Sequence, residues 1–531
     1  MPTSPDQLPD DVNALKALLT EQVARNAQLE AEKQASDQEN ARLGAKVLSL
    51  QEQLNLALAR RYAASSEKLS PDQIRLFDEA EVDVLDDAID EVEQDDVVEV
   101  PAHTRKKRGR KPLPDTLHRV EVIHEIPEDQ RHCPHDGQLL AEINQVVSEQ
   151  LDIIPAQIRV IRHIRKQYAC ACGQCIQTAP LPGQPIPKSM ASPGLLAHIA
   201  VSKYQDALPL HRQEQILQRI GVDIPRATLA NWMIRCGQLV QPLINLLRDC
   251  MLAYDILQMD ETTVQVLKEP GKSAQSKSYL WLQRGGPPDE PVTLFDYDPT
   301  RNQTVPKGLL EGFAGYLQTD GYSGYNGVVA AGELKQLGCM AHARRNFSDA
   351  VKGQGKDKRV GKAQQGLAWI QKLYRIEKVA RTKEMLPEER KLYRQRHAAP
   401  ILEKMRTWLD ASLPNVPPST LTGKALNYLN NEWPKLVRYL EDGRLEIDNN
   451  LAENAIRPFV IGRKNWLFSD SVKGVKASAN LYSLVETAKA NKLEPYQYLR
   501  EVFTRLPQAD TVEDIENLLP WSLKKILEEA K

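Results

Sequence analysis

The sequence lacks the features that mark secreted, disulfide-stabilised and membrane-embedded proteins. Its 531 residues include only 7 cysteines, too few for a disulfide scaffold. No apolar run approaches the roughly 18–20 residues of a membrane span, and the first residues lack the basic start and apolar stretch of a signal peptide. We therefore expect a cytoplasmic protein with no membrane contact. It should contain several domains, since a single core stops growing at roughly 250–300 residues.

The chain also lacks a substantial net charge, but its charges are unevenly distributed. It has 69 Lys and Arg against 71 Asp and Glu, a formal charge of -2. Residues 78–99 hold 12 of the acidic residues and no Lys or Arg, so the remainder carries +10. A basic run follows, formed by Arg105, Lys106, Lys107, Arg108, Arg110 and Lys111. This asymmetry favours a linker with a phosphate-attracting run, and therefore contact with nucleic acid.

Proline is absent from residues 12–61, and glycine occurs there once. The segment has a heptad pattern whose apolar seam residues are Leu15, Leu19, Leu29, Leu43, Val47, Leu50, Leu54 and Ala57. Such a seam is typical of a coiled coil, so we predict self-association through this segment. The alternative is a single amphipathic helix that packs on its own chain.

Alternating apolar and polar residues predict strands in two parts of the chain. In a small β-rich module the predicted strands are Val120–Ile126 and Gln157–Tyr168. In a larger domain they are Tyr254–Leu267, Tyr279–Gln283, Val292–Tyr297, Gly315–Asp320 and Gln336–Met340, with a helix at Gln303–Phe313. Three leading strands followed by strands that alternate with helices predict a mixed sheet with helices on its faces.

Four of the cysteines lie between residues 133 and 175, in a pattern typical of a metal site. Cys172 and Cys175 form a CxxC pair, whereas Cys133 is followed by Asp136 where a second cysteine is expected. Tetrahedral zinc needs four donors, usually from two short-spaced pairs. The missing ligand would come from Asp136, His135 or Cys170. The alternative is a set of reduced structural cysteines without metal.

Residues 191–250 have the pattern of several helices. Arg212–Ile220 and the segment that begins at Arg226 are separated by the turn Gly221–Pro225, which is consistent with a helix-turn-helix. Arg226 and Asn231 on the second helix are the candidate DNA contacts. An ordinary helical hairpin has the same pattern and is the alternative.

Two acidic residues occupy strand positions of the larger domain. Asp260 lies inside its first predicted strand and Asp320 ends the fourth, so the two can converge on adjacent strands. Buried carboxylates repel each other unless a proton or a cation neutralises them, and the pair therefore predicts a divalent-cation site. Taken singly, each is also consistent with a helix-cap or turn aspartate.

Glu453 is the candidate third acid. Asp448 or Asn449 can cap a helix that carries Glu453 on its first turns. Polar residues on and after this helix that are expected to position DNA are Asn450, Arg457, Arg463 and Lys464. An ordinary surface helix with a polar face is the alternative.

Cys339 and His342 have the spacing of a metal-binding pair, but two ligands without nearby partners make a poor zinc site. We interpret Cys339 as strand-end packing. His342, Arg344 and Arg345 are expected near a DNA channel.

Four motifs in this order closely resemble the insertion-sequence-66 family of bacterial transposases. They are Gln258-Met-Asp-Glu-Thr, Leu317-Gln-Thr-Asp-Gly-Tyr, Gly338-Cys-Met-Ala-His-Ala-Arg-Arg and Asp448-Asn-Asn-Leu-Ala-Glu-Asn-Ala-Ile-Arg-Pro. The resemblance covers nearly the whole chain. It implies a ribonuclease-H-like catalytic domain with the triad Asp260, Asp320 and Glu453, interrupted by a helical insertion. The family's zinc module usually reads Cys-Pro-x-Cys, so Asp136 is a departure that puts zinc binding in question.

The resemblance and the patterns together predict six segments. These are a coiled-coil helix (1–65), an acidic and basic linker (66–115), a zinc-binding-like β module (116–190), a helical DNA-binding region (191–250), the catalytic domain (251–478, insertion about 354–440) and a C-terminal helical domain (479–531). The implied function is a DNA transposase that binds terminal inverted repeats and target DNA, and that cleaves and transfers strands with two Mg²⁺ ions. Homo-oligomers, helper proteins from the same element and association with the nucleoid are also expected. A non-catalytic DNA-binding accessory protein and a structure-selective nuclease are the alternatives.

Overall fold

The computed structural model describes residues 11–62, 158–169, 176–325, 327–328, 334–354 and 361–529, and the chain divides into two units. Residues 87–181 form the smaller unit, and the rest of the chain forms the larger one. Several predicted features lie outside the described residues. They are the acidic stretch, the basic run, the strand at 120–126 and the candidate zinc ligands Cys133, His135, Asp136, Cys170, Cys172 and Cys175.

The described part of the smaller unit contains one short hairpin. Strand β1 (Gln167–Ala169) pairs with β2 (Ile176–Thr178) in antiparallel register. The strand predicted over residues 157–168 is therefore wrong for most of its length, since regular pairing begins at Gln167. The exposure of this segment explains the failure: Val160 is 94% exposed and Ile164 is 79% exposed, so the alternation does not produce a buried strand face.

The larger unit is mostly helical around one sheet. Its helices are α1 (Val12–Tyr62), α2 (Pro193–Tyr204), α3 (Leu210–Arg219), α4 (Arg226–Leu239), α5 (Gln241–Leu252), α6 (Thr304–Leu309), α7 (Met340–Gly353), α8 (Lys362–Thr382), α9 (Pro387–His397), α10 (Ala399–Ser412), α11 (Leu421–Leu436), α12 (Asn450–Trp466), α13 (Val472–Ala490), α14 (Pro495–Arg505), α15 (Val512–Glu516) and α16 (Pro520–Glu529). Its strands are β3 (Ile256–Lys268), β4 (Lys277–Gly285), β5 (Val292–Asp298), β6 (Gly315–Gln318), β7 (Leu334–Leu337) and β8 (Ser469–Ser471). By length and hydropathy, none of the helices in the described ranges would span a bilayer.

The sheet has the order β5-β4-β3-β6-β7, and β8 pairs with the far end of β3. Strands β5, β4 and β3 are antiparallel neighbours, whereas β3, β6 and β7 run parallel. This arrangement confirms the mixed sheet with helices. The fourth strand ends two residues before Asp320, and helix α6 is shorter than predicted. The fifth strand begins and ends earlier than predicted, because a helix begins at Met340.

Helix α13 closes the open edge of the sheet at β5. The backbone N–H of Thr293 donates to Oγ1 of Thr487 at 3.0 Å, and that of Phe295 donates to Oγ of Ser483 at 2.8 Å. Both hydroxyl side chains are buried. They satisfy edge N–H groups that would otherwise be available to pair with another strand.

The helix pair α3 and α4 has the predicted bounds to within two residues. Gly221, in the turn between them, has a φ of +82°, which glycine adopts at little cost. Helix α4 packs closely on α13, because a Cβ at Gly237 would lie 2.6 Å from the Cα of Ala477. The pair is therefore anchored to the helix that covers the sheet edge.

Helices α8 to α11 form the helical insertion between α7 and α12, and a second hydrophobic core joins it to α7 and the end of β7. Within the insertion lies an ion-pair network of Glu377, Arg390, Arg394 and Glu446. Arg394 is fully buried, and its guanidinium donates to both carboxylate oxygens of Glu377 at 2.8 Å. Its remaining N–H groups donate to backbone carbonyls, and Arg390 bridges Glu377 to Glu446. Every charge in this network thus has an opposite partner.

Helix α1 is one helix of 51 residues with two distinct faces. Near its C-terminal end, Ser49, Glu52 and Leu56 are buried against the rest of the larger unit. Glu52 accepts a hydrogen bond from the backbone N–H of Leu421 at 2.7 Å, and Ser49 donates to the carbonyl of Ser419 at 2.9 Å. The seam residues remain exposed on another face, with Leu19, Leu29, Leu43, Val47, Leu50 and Leu54 between 45% and 69% exposed. Packing on its own chain therefore accounts for only part of this helix.

Candidate active site

The predicted site residues Asp260 and Asp320 follow the paired parts of two neighbouring parallel strands. Residues paired between β3 and β6 differ by 60, as in Gln258 and Gln318, and those paired between β6 and β7 differ by 19. Asp260 and Asp320 each follow the last residue pair of β3 and β6 by two residues, and the charge of Asp320 acts on Asp260. The buried side chains of Gln258 and Gln318 hydrogen bond at 2.8 Å just before these two acids. The site therefore lies where the parallel strands end.

Asp260 and Asp320 belong to a strand-end acid cluster that also includes Glu261. Burial, together with the charges of Glu261 and Asp320, raises the pKa of Asp260 well above its usual value. The pKa of Glu261 is also raised, first by burial and then by Asp320. Both shifts are caused first by burial and then by neighbouring carboxylates, and both favour the protonated form of the acid.

Glu261 lies in the first of the four motifs, but no role was predicted for it from the sequence. Its side chain is 2% exposed and pairs with Arg301. The hydroxyl of Tyr325 also donates to Glu261, at 2.7 Å. Arg301 stacks on the ring of Tyr322, with 3.9 Å between its guanidinium carbon and the ring centre. Arg301 thus pairs with one acid of this cluster, and no sequence pattern linked it to β3.

The backbone around Asp320 forms a turn. Its carboxylate accepts a hydrogen bond from the N–H of Tyr322 at 3.0 Å. The turn interpretation considered from sequence therefore describes the local geometry, and it coexists with the approach to Asp260. A turn aspartate keeps one oxygen directed along the chain and has a second available for other contacts.

Helix α12 begins against β3 and carries Glu453 in its first turn. The side-chain amide of Asn449 donates to the carbonyl of Met259 at 2.9 Å, next to Asp260. Asp448 accepts from the N–H of Asn450 at 3.2 Å and from the hydroxyl of Tyr374 at 2.8 Å. These contacts fix the helix start beside the strand that holds Asp260, and Glu453 itself is 4% exposed.

The carboxylate of Glu453 lies among residues that were not expected to partner it. Its Oε1 is 3.8 Å from Nδ1 of His342 and 4.0 Å from Sγ of Cys339. In the described ranges, these three form the metal-competent group whose donor atoms all lie within 4.8 Å of one another. The expectation that Cys339 and His342 have no nearby third ligand is therefore wrong.

The described candidate DNA-contacting residues lie in two regions of the larger unit, one on α4 and the other on α7 and α12. Arg226 and Asn231 are exposed on α4. On α7 and α12, the half-buried residues are Arg344, Arg345, Asn450, Arg457, Arg463 and Lys464. Arg463 donates to the backbone and hydroxyl of Thr263, so it braces β3 as well as lying near the helix end. Arg344 stacks near Tyr374 at 5.5 Å.

Comparison with known proteins decides the family. The profile described as "Transposase IS66 family" matches residues 188–477, which span the sheet, the insertion and Glu453. The chain belongs to the IS66 transposase family. Further matches are the IS66 C-terminal element over residues 483–521, the zinc-finger binding domain of transposase IS66 over residues 130–173, and "Transposase C of IS166 homeodomain" over residues 49–122. Family membership therefore extends over almost every predicted segment.

Similar chains occur in Sinorhizobium fredii. The uncharacterized protein y4qI is 31% identical over 542 residues, covering 97% of this chain and 98% of that protein. The uncharacterized protein y4jD is 33% identical over 427 residues, covering 78% and 81% of the two chains. Each alignment covers similar shares of the two chains, so the similarity to this chain extends along most of both relatives.

Proposed function

We propose that this IS66 family member is a DNA transposase that cleaves and joins strands through Asp260, Asp320 and Glu453. One observation carries the proposal: β3 and β6 are parallel neighbours whose pairing ends two residues before Asp260 and Asp320, and the charge of Asp320 contributes, after burial and Glu261, to the raised pKa of Asp260. The start of α12 is tied to the same strand through Asn449 and Met259, which supports Glu453 as the third acid. The sheet order supports a ribonuclease-H-like catalytic domain.

The donor set fits Mg²⁺, which prefers carboxylate and amide oxygens. Oδ1 of Asn449 is buried beside β3 and accepts no hydrogen bond from the described residues. Two Mg²⁺ ions bound by the triad would activate water, then a 3′-hydroxyl, and stabilise the leaving oxygen of each phosphodiester. The carboxylates of Asp260 and Asp320 act as ligands rather than bases. Arg301 provides part of the counter-charge within the protein.

The remaining residues of the site hold the substrate in this proposal. Arg344 and Arg345 on α7 and the cations of α12 attract DNA phosphates. Arg226 and Asn231, exposed on α4, contact the terminal repeats as part of a helix-turn-helix. The basic run Arg105–Lys111 adds salt-sensitive affinity.

We further propose that α1 joins two copies of the chain. Its exposed seam residues lie on a different face from Ser49, Glu52 and Leu56, which pack on the same chain. A second α1 in a coiled coil would bury that seam. Replacing Leu43 and Leu50 with Asn should convert dimers to monomers in sedimentation experiments, and an unchanged mass would exclude this seam as the interface.

Zinc in the finger-like module is also a proposal. Cys133, Cys172 and Cys175 would bind the ion, with Asp136, His135 or Cys170 as the fourth ligand. Metal analysis of the full chain should lose one equivalent of zinc in Cys172→Ser. Equal zinc content in the two proteins would refute the site.

The decisive experiment measures strand cleavage and joining on the element's own terminal repeats with Mg²⁺. Asp260→Asn, Asp320→Asn and Glu453→Gln should each abolish both steps and retain DNA binding, because they remove charge and keep shape. Asp289→Asn, in the exposed turn between β4 and β5, is the control and should remain active. Full activity in a triad variant would remove that residue from the mechanism. DNA binding without cleavage by the unaltered chain would favour an accessory role.

A further inference from the structure

Cys339, His342 and Glu453 form a compact group of three different ligand types at the edge of the acid cluster. Cys339 immediately precedes α7, His342 lies in the first turn of α7, and Glu453 lies in the first turn of α12. Their donor atoms lie within 4.8 Å of one another. Cys339 and Glu453 are 114 residues apart in sequence, so only the fold brings them together.

The backbone that carries these residues is fixed by hydrogen bonds between the two segments. The N–H of Met340 donates to the carbonyl of Ile447 at 3.1 Å, and the N–H of Asn449 donates to Sγ of Cys339 at 3.3 Å. Cys339 and Glu453 are buried, whereas the His342 side chain is 26% exposed and gives solvent access to the group. The three donors are therefore held in place before any ligand arrives.

The chemistry of the donors selects a zinc-class ion. Thiolate and imidazole suit zinc and related transition metals, whereas Mg²⁺ prefers oxygen alone. Ligand bonds of about 2.0–2.3 Å place the donors of a tetrahedral zinc ion roughly 3.3–3.8 Å apart. The observed separations of 3.8 Å and 4.0 Å to Glu453 require only a small contraction. Three protein ligands leave one coordination position open.

We propose that Cys339, His342 and Glu453 bind a zinc-class divalent ion, and that this ion withholds Glu453 from the Mg²⁺ site. Binding would replace the thiol proton of Cys339, which leaves to solvent, with a sulfur–metal bond. The second half of the proposal rests on the proposed function, since it requires Glu453 to serve the strand-cleavage reaction. The first half concerns metal binding alone.

Cobalt(II) titration of the metal-free full chain tests the binding, because a cobalt–thiolate bond gives a characteristic charge-transfer absorption. Cys339→Ser should lose this absorption for one bound ion. Cys236→Ser is the matched control, because Cys236 is equally buried but belongs to no group of metal ligands in the described ranges. Cys172→Ser identifies the separate contribution of the finger-like module. Identical cobalt spectra for Cys339→Ser and Cys236→Ser would overturn the proposal.

His342→Gln keeps the proposal testable if Cys339→Ser fails to fold. The residue is partly exposed, and its loss should weaken cobalt affinity by at least about 10-fold, since even outer-shell changes at metal sites cost about 10–100-fold. Unchanged affinity in this variant would also overturn the site.

Zinc inhibition tests the coupling to strand cleavage. Added zinc should inhibit Mg²⁺-dependent cleavage by the unaltered chain, and excess Mg²⁺ should relieve the inhibition. The activity that Cys339→Ser retains should not respond to zinc. Cobalt binding that depends on Cys339 in a chain that never cleaves DNA would contradict the proposed function and leave the metal site intact. Cleavage that zinc does not affect, despite such binding, would overturn the competition for Glu453.

Discussion

Two groups of carboxylates in the larger unit differ in how the protein neutralises them. In the ion-pair network of the insertion, Glu377 meets the guanidinium groups of Arg390 and Arg394. In the strand-end acid cluster, burial and neighbouring carboxylates raise the pKa values of Asp260 and Glu261, the charge of Asp320 acts on both, and Arg301 pairs with Glu261. The charges of the ion-pair network are balanced within the chain, whereas those of the strand-end acid cluster are not.

The pKa values of the two places shift in opposite directions for this reason. Burial alone would raise the pKa of Glu377, but hydrogen bonds and charges from Arg394 and Arg390 hold it below its usual value. Burial and like charges raise the pKa of Asp260 instead. A buried carboxylate with matched cations fixes structure, whereas one without them is available to an external cation.

Removal of one charge from the matched network should have the largest effect on stability. Glu377→Gln leaves Arg394 fully buried without its counter-ion, and we expect a loss of about 3–5 kcal/mol in the free energy of unfolding. Chemical denaturation of the metal-free chain measures it. A loss no greater than that of Asp470→Asn, which breaks an exposed pair with Lys268, would show that the network is not tightly coupled.

Removal of one charge from the acid cluster should not lower the free energy of unfolding. Asp260→Asn removes one of three repelling carboxylates, so the metal-free protein should keep or gain stability while strand cleavage falls by about 10²–10³-fold or more. Chemical denaturation and cleavage assays on one preparation measure the free energy of unfolding and the cleavage rate. Destabilisation comparable to that of Glu377→Gln would mean that Asp260 is structurally required, which would contradict the comparison.

Addition of Mg²⁺ should complete the acid cluster and leave the network unaffected. A ligand at 100 times its dissociation constant stabilises the folded state by about 2.7 kcal/mol, so the melting temperature of the unaltered chain should rise with Mg²⁺. The rise should disappear in Asp320→Asn and persist in Glu377→Gln. An equal rise in Asp320→Asn would assign the Mg²⁺ effect to another site.

The sequence predicts the pair Asp260 and Asp320 better than it predicts their surroundings. Polar residues at strand positions in an apolar setting are visible locally, and periodicity predicts where along the chain the strands lie. Glu261 escaped notice because its neighbours Arg301 and Tyr325 come from later segments. The approach of Glu453 to Cys339 and His342 likewise depends on how α12 docks against the end of β7, which no local pattern encodes.

The strand predicted at residues 157–168 shows that a local pattern can also predict an element that does not form. Alternation predicts a strand only when one face becomes buried, and the described residues there are exposed. The α3 and α4 helices were predicted well because a glycine turn and a proline mark their boundaries. Local signals thus located elements, while contacts between distant segments determined the chemistry of the site.

The smallest expected effect is the pH dependence of the matched network. The pKa of Glu377 is lower in the folded chain than its ordinary value of 4.5, so the folded state binds this proton less readily than the unfolded state. Its contribution to stability is therefore complete above that ordinary value and is lost as the pH falls through the lower, folded pKa. The stability difference between the unaltered chain and Glu377→Gln should narrow across this acidic window. A difference that stays constant there would show that Glu377 stabilises the insertion by its shape and hydrogen bonds, and that charge matching is not what separates the two clusters.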